Sequence, residues 1–276
     1  MSIKEVLRDT NSLTPSTAKQ MTIRYLKKKI RRTKIQLGKL VTNIRALANS
    51  RNLNKLGEIY GTDKIGVHNY TPHYMTHFRK FKYQQIKLLE IGVGGYDNPK
   101  SGGNSLRMWK RYFPFAKIFA IDIFDKSLHE EKRIRIFKGS QVDKEFLIEI
   151  FNEIQAVDII IDDGSHINEH VITTFNLLFP KLNDGGIYVI EDTQTSYWED
   201  YGGDSEDLNN PSTIMNYFKG LTDSLNNQEF VIKNYKQTYY DQHIISLHFY
   251  HNLIIIYKGK NDEKSNFVIN NQRTIG

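Results

Sequence analysis

Two apolar runs end in clusters of acidic and hydrogen-bonding side chains. Val157-Asp158-Ile159-Ile160-Ile161 runs into Asp162-Asp163-Gly164-Ser165-His166, and Gly186-Ile187-Tyr188-Val189-Ile190 runs into Glu191-Asp192. Runs of this length and composition read as buried strands. Open parallel α/β sheets hold their ligands at the carboxyl ends of their strands, so the two acidic tips could converge on one point. Taken singly, the same residues have quieter roles. Asp162 and Asp163 could cap the following helix, His166 could be a solvated histidine at a helix start, and Glu191-Asp192 could be a solvated strand end. It is their conjunction that points to a site.

The elements that must position these tips follow from the alternation after Lys87. Strands are expected near Lys87 to Val93, Lys117 to Ile123, Ile134 to Phe137, Ala156 to Ile161 and Gly186 to Ile190. Helices are expected near Ser105 to Phe113, Lys144 to Ile154, Glu169 to Leu182 and Ser212 to Leu225. Ile244 to Tyr250 and Leu253 to Tyr257, joined by His251-Asn252, read as a closing hairpin. The expected fold is α/β: a Rossmann-like doubly wound sheet, mostly parallel, with a C-terminal antiparallel hairpin and a basic N-terminal helix in front. Five parallel strands followed by a terminal hairpin is an order that dehydrogenases seldom show. It is the usual order in one large class of methyltransferases.

The first strand ends Glu90-Ile91-Gly92-Val93-Gly94-Gly95, where glycines let a backbone approach a nucleotide-like ligand. Such a short glycine pattern is common, but Asp122 follows about 30 residues later at the end of the second strand, suited to accepting hydrogen bonds from a ribose diol. The third glycine of a dinucleotide fingerprint is missing, and a polar loop from Tyr96 to Asn104 intervenes before the helix. Without a pyrophosphate seat on a helix N-terminus, NAD or FAD is disfavoured and S-adenosylmethionine is preferred.

Charge divides the chain. From Thr10 to Gly57 there are twelve Lys and Arg and no Asp or Glu. The first nine residues balance, so subtracting the twelve from the net +7 leaves −5 from Glu58 onward. Within the arm, Ile23, Leu26, Ile30, Thr33, Leu37, Leu40, Ile44 and Leu47 alternate spacings of three and four, a heptad stripe on one long amphipathic helix. This helix could pack on its own domain or on a sister subunit, making a homo-oligomer, or it could lie on an anionic membrane surface. Nucleic acid is disfavoured, because Tyr25 is the arm's only aromatic. Leu56 to Tyr74 is dense in turn formers and reads as a surface loop or as a segment folded over a ligand site. Three regions are expected: 1–55 a basic helical arm, 56–86 a polar lid segment, and 87–276 the main domain. There is no cysteine, no apolar run long enough to span a bilayer and no leader pattern near the start, which makes a cytoplasmic protein the expectation, with the inner membrane face as a place for the arm.

Longer motifs carry a resemblance. Glu90-Ile-Gly-Val-Gly-Gly-Tyr-Asp, Ser105-Leu-Arg-Met-Trp-Lys, Ile161-Asp-Asp-Gly-Ser-His-Ile-Asn-Glu-His, Val189-Ile-Glu-Asp-Thr-Gln-Thr-Ser-Tyr-Trp and His248-Phe-Tyr-His-Asn-Leu resemble class I S-adenosylmethionine-dependent O-methyltransferases of the mycinamicin and macrocin type, which methylate sugar hydroxyls. The resemblance covers roughly Leu56 to Lys260 and leaves out the basic arm. It implies a magnesium ion held by Asp163, Glu191 and Asp192, with His166 as general base. Oxygen-only ligands suit magnesium, and a sugar hydroxyl, a poor acid, needs both a metal and a base. It also implies Glu90, Gly92 and Gly94 at the methionine side of the cofactor, Asp122 at its ribose, and Ser140 with Gln141 at its adenine. The family usually has an aspartate where Ser140 stands. Asp63, in the Tyr60-Gly-Thr-Asp-Lys segment, is expected to cover the cofactor, and Tyr70, Thr195, Tyr197 and Trp198 to shape the acceptor pocket. With Asp163 taking the metal, Asp162 is left to structure the turn or face the cofactor.

The implied reaction is metal-dependent methyl transfer to a sugar hydroxyl. The chain's Lys, Asn and Ile content suggests an AT-rich genome, which favours a surface glycan or its nucleotide-sugar precursor as acceptor. Two alternatives stand beside it: a hydroxylase-like oxidative enzyme on the same scaffold, for which three carboxylates without a second histidine make a poor iron site, and a non-catalytic scaffold docking to anionic surfaces through the arm.

Overall fold

The computed structural model describes residues 15–274. The first fourteen residues of the arm and the last two of the main domain therefore lie outside the described residues. The arm is one helix, α1 (Pro15–Ala48). It meets the body near its C-terminal end, where Ala46 is fully buried and Arg111 donates to Asn43 Oδ1. The apolar residues of its heptad stripe are exposed and do not pack on the domain.

The segment expected as a surface loop or as a cover over a ligand site, Leu56 to Tyr74, is helical at both ends and irregular in between, and its helical ends supply core. It forms α2 (Leu53–Tyr60) and α3 (Thr71–Phe78), with only Gly61 to Tyr70 between them irregular. The turn formers mark helix ends rather than a long loop. The Asn52 side chain accepts from Lys55 N at the start of α2, and Gly61, at φ 69°, takes the left-handed position that ends it. Leu53 and Leu56 in α2, and Tyr74 and Phe78 in α3, lie three or four residues apart and bury one face of each helix.

The sheet has seven strands: β1 (Lys87–Ile91), β2 (Lys117–Asp122), β3 (Ile134–Lys138), β4 (Val157–Asp162), β5 (Leu182–Glu191), β6 (Ile244–Tyr250) and β7 (Leu253–Lys258). Their order is β3-β2-β1-β4-β5-β7-β6; the first five are parallel and β7 pairs antiparallel with both β5 and β6. On one face Leu88, Ile159 and Val189 pack with α2, α3 and α4 (Asn104–Tyr112), around Trp109 and Phe78. On the other, Leu89, Ile160 and Ile190 pack with α5 (Lys144–Ile154), α6 (Asn168–Leu178) and α7 (Ile214–Gly220), around Phe175 and Phe218. Alternate residues of each strand therefore serve opposite cores, as a sheet covered on both faces requires.

Boundaries moved where backbone geometry intervenes. β1 stops at Ile91 because Gly92 turns at φ 91°. β5 begins at Leu182 rather than Gly186, since α6 ends at Leu178 and a short turn containing Pro180 follows. The final helical stretch divides at Gly220 into α7 and α8 (Thr222–Leu225), followed by α9 (Tyr239–His243). A two-residue pair, β8 (Val268–Ile269) and β9 (Gln272–Arg273), ends the described chain. Because β4 pairs in parallel with both β1 and β5, the tips at Ile91, Asp162 and Glu191 come out side by side.

Candidate active site

The three neighbouring tips set the site. Asp163 N donates to Ile91 O at 3.0 Å and Gly92 N to Ile121 O at 2.8 Å, which locks the ends of β1, β2 and β4 together. Gly92 is obligatory here. A Cβ at this position would lie 2.0 Å from Asp163 O, and its φ of 91° is one that side chains resist. Beyond the strand ends, His166 (φ 56°) and Asp192 (φ 54°) both take the left-handed conformation. Non-glycine residues there carry strain of the kind found where a site dictates the direction of a side chain.

These turns bring Asp163, His166 and Asp192 together, the one group of its kind among the described residues, with one ligand atom from each lying within 4.8 Å of the others. His166 Nε2 is 3.9 Å from Asp163 Oδ1 and 3.7 Å from Asp192 Oδ2. Those are neighbour distances rather than hydrogen bonds, so the imidazole nitrogen is not committed to either carboxylate. The Tyr70 hydroxyl donates to Asp192 Oδ1 at 2.7 Å, and the His68 ring stacks on Tyr70 at 4.8 Å. Burial, followed by the bond to Asp192, pushes the Tyr70 phenol above its ordinary range.

Beneath this open cluster lies a closed one. Lys64, fully buried, donates to Asp163 Oδ2 at 2.7 Å and to Glu191 Oε2 at 2.8 Å, and stands 3.5 Å from Glu90 Oε1. Burial works against its ammonium, but Asp163, Glu191 and Glu90 together hold its pKa well above normal. The second Glu191 oxygen accepts a short hydrogen bond from the Tyr74 hydroxyl. Burial and then the nearby Asp163 raise the Glu191 carboxyl, with Lys64 opposing both. Glu191 thus sits one layer below Asp163 and Asp192, with both oxygens engaged. Burial also pushes Glu90 up to about 7 against the pull of Lys64. Glu90 Oε2 accepts from Ser105 Oγ and Trp109 Nε1, while its buried Oε1 has no hydrogen-bond donor.

The residues expected at the cofactor fall into two groups. Gly92, Gly94 (φ 79°) and Asp122 line the turn after β1, with Asp122 accepting from Val93 N and Phe124 N at 2.9 and 2.8 Å. A Cβ at Gly94 would meet nothing nearer than Gly102 Cα at 4.0 Å, so the backbone there stands open to a ligand. Gln141 and Asp162 are instead drawn into the protein. The Gln141 amide donates to Asp162 Oδ1 and Thr174 Oγ1 at 3.2 and 3.0 Å and accepts from Ser165 N at 2.9 Å. Asp162 is buried beside it, which raises its carboxyl to about 7 despite the Gln141 bond. Ser140 Oγ accepts from Val142 N, and Asp63 is exposed beside Thr62.

The expected acceptor residues also divide. Thr195 is buried, its hydroxyl donating to Asp192 O at 3.2 Å, so it braces the acidic turn. Tyr197 and Trp198 are exposed at 41% and 50%, with Trp198 5.9 Å from the Tyr201 ring. Trp198 is no core residue. Lys64 and Tyr74 were missed as site residues. Lys64 sits in a polar, glycine-containing segment, and nothing local showed that its partners lie 99 and 127 residues away. Tyr74 reads as an ordinary apolar helix position.

No family model matches the chain. It is 47% identical over 213 residues to the mycinamicin VI 2''-O-methyltransferase of Micromonospora griseorubida, a match covering 76% of this chain and 53% of that protein. It is likewise 47% identical over 213 residues to the demethylmacrocin O-methyltransferase of Streptomyces fradiae, covering 76% and 54%. With the 8-demethyl-8-alpha-L-rhamnosyl tetracenomycin-C 2'-O-methyltransferase of Streptomyces olivaceus it shares 42% identity over 225 residues, covering 80% and 59%. Among solved structures, MycE methyltransferase from the mycinamycin biosynthetic pathway, in complex with Mg and SAH, superposes with a TM-score of 0.75 at 47% identity, covering 77% of this chain and 56% of that one. The chain spans about half the length of the curated relatives it matches. It is a homologue of the mycinamicin and demethylmacrocin O-methyltransferases, resembling them in sequence over about three quarters of its length and carrying the class I methyltransferase fold.

Proposed function

We propose that this chain transfers a methyl group from S-adenosylmethionine to a sugar hydroxyl in a magnesium-dependent reaction, with His166 as the general base. One observation carries the reading: Asp163, His166 and Asp192 assembled at the tips of β4 and β5, next to an open glycine turn and Asp122. MycE, with the same fold, was solved in complex with Mg, SAH and mycinamycin VI.

The residues present fit both groups. Asp163 and Asp192 offer hard oxygen donors on the open side of the cluster, the kind magnesium takes. Glu191 lies directly beneath and reaches such a cation only by giving up its bond to Lys64 or Tyr74. For the cofactor, Gly92 packs on Asp163 O and so seats the turn, Gly94 leaves room against the backbone, Asp122 supplies a carboxylate for a diol, and Glu90 Oε1 is a buried acceptor without a donor. When bound, magnesium supplies Lewis acidity toward a hydroxyl oxygen and S-adenosylmethionine supplies the electrophilic methyl group.

The protein's own part is to position groups and move a proton. His166 Nε2 faces the two aspartates without being hydrogen-bonded to either, so it is free to take the proton that a hydroxyl loses on attack. Tyr70 and Thr195 fix the Asp192 carboxylate and the backbone behind it, and preset geometry is a main source of rate in a displacement needing in-line approach. Tyr197 and Trp198, exposed five and six residues beyond Asp192, offer aromatic faces suited to the apolar face of a sugar ring. The acceptor is read as a surface glycan or its nucleotide-sugar precursor, on the compositional grounds given above. Labelled methyl transfer from S-adenosylmethionine to a panel of nucleotide sugars and glycan fragments tests this: a labelled, base-stable methyl ether is expected, and an oxidised sugar or no product would reject the reading.

A further inference from the structure

The heptad stripe of α1 has no partner within the described chain. Ile23, Leu26, Ile30, Leu37, Leu40, Ile44 and Leu47 are between 43% and 64% exposed, although each belongs to one continuous seam. The helix meets the body on its other side. Ala46 is buried, and Ile44, two residues away, lies about 200° around the helix from it. The seam therefore points away from the catalytic body over roughly 37 Å, or about four heptads.

We infer that this seam pairs with a second copy of the chain as a parallel two-stranded coiled coil. The spacing alternates strictly between three and four, which makes a narrow a/d seam rather than the wide apolar face of a helix lying on a bilayer. The a positions are Ile23, Ile30, Leu37 and Ile44, and the d positions Leu26, Thr33, Leu40 and Leu47. Three of the four a positions are β-branched isoleucine and three of the four d positions are leucine, the combination that favours two parallel strands. Thr33, the one polar position, donates its hydroxyl to Lys29 O at 3.1 Å, so it enters the seam without an unmet donor. Flanking charge is the opposing force. Lys29 of one strand faces Lys34 of the other across the first half of the seam, whereas the second half is flanked by Gln36, Val41, Asn43 and Ala48, which are neutral. Pairing is thus expected to be strongest toward the body and to strengthen with salt. Two catalytic bodies then stand side by side at the same end of the coil.

The test uses the full chain. Light scattering should give twice 32.3 kDa at micromolar concentration, rising in dimer fraction with added salt. Leu37→Glu with Ile44→Glu should return it to monomer while circular dichroism of the body and S-adenosylmethionine binding are kept. Since the chain has no cysteine, Leu40→Cys should be captured as a homodimer by a short thiol-reactive bis-maleimide. A monomer at those concentrations, a dimer that survives the double substitution, or a Leu40→Cys chain that stays uncrosslinked would each overturn the proposal. So would stripe-dependent binding to vesicles of phosphatidylglycerol that salt abolishes, because the seam would then serve a lipid surface.

Discussion

The Lys64 ammonium donates to Glu191 Oε2 at 2.8 Å and to Asp163 Oδ2 at 2.7 Å, joining the segment before β1 to the tips of β4 and β5. One buried cation thus holds two carboxylates that would otherwise repel each other, and it turns Asp163 so that only its other oxygen faces the open cluster. It is the internal counter-charge that lets an acidic site exist at the core's edge.

Removing that cation should be costly. Lys64→Met leaves Glu90, Glu191 and one Asp163 oxygen facing each other without compensation, and breaking a buried pair on one side typically costs about 3–5 kcal/mol. Urea unfolding of the parent and the variant checks this. A loss below about 1 kcal/mol would mean that the carboxylates need no counter-charge.

His166→Ala should reduce turnover by about 100-fold or more while leaving S-adenosylmethionine affinity nearly unchanged, as expected for a base that acts on the acceptor alone. Steady-state kinetics together with calorimetric cofactor titration separate the two effects. An unchanged rate removes His166 from the chemistry.

Gly92→Ala places a methyl group where Asp163 O already lies and asks alanine to hold φ 91°. The strand tips must separate, so both stability and cofactor binding should fall, the backbone strain alone costing about 1–3 kcal/mol. Thermal unfolding with and without S-adenosylhomocysteine reads both losses; a variant with the parent's melting temperature and ligand-induced shift would show that the tips tolerate the opening.

Acid stability should depend on His77. Its ring is buried between the Tyr250 and Tyr257 hydroxyls, and burial lowers its pKa from 6.5 to about 4. Above pH 6.5 it is neutral whether folded or unfolded. Between 6.5 and 4 the unfolded chain binds a proton that the folded chain refuses, so stability declines as the pH falls, levelling off below 4. His77→Gln should show a shallower decline than the parent across that window in urea midpoints measured from pH 7.5 to 4. Parallel slopes would rule out this histidine as the source.

The strands and their succession along the chain, five parallel and then a hairpin, were legible because buried parallel strands are nearly continuous apolar runs, and each acidic tip was visible as the abrupt end of one. Gly92 and Asp122 were legible for a similar reason: a tight turn and a strand-end carboxylate have local signatures. The arm helix α1 was legible in its heptad stripe, but the two short helices α2 and α3 before β1 were not, because their cores rest on Leu53, Leu56, Tyr74 and Phe78, too few residues for a period to emerge. Lys64 was invisible because its meaning lies in carboxylates far along the chain. The split between the open cluster and Glu191 beneath it likewise depends on side-chain direction, which sequence spacing at a strand end does not specify.

Magnesium dependence separates methyl transfer at this cluster from the alternatives most directly. Transfer of labelled methyl from S-adenosylmethionine to a sugar acceptor should proceed with magnesium, stop in chelator, return when magnesium is restored, and be lost in Asp163→Asn and in Asp192→Asn. Transfer that continues undiminished in chelator, or in both variants, would rule out a metal held by Asp163 and Asp192.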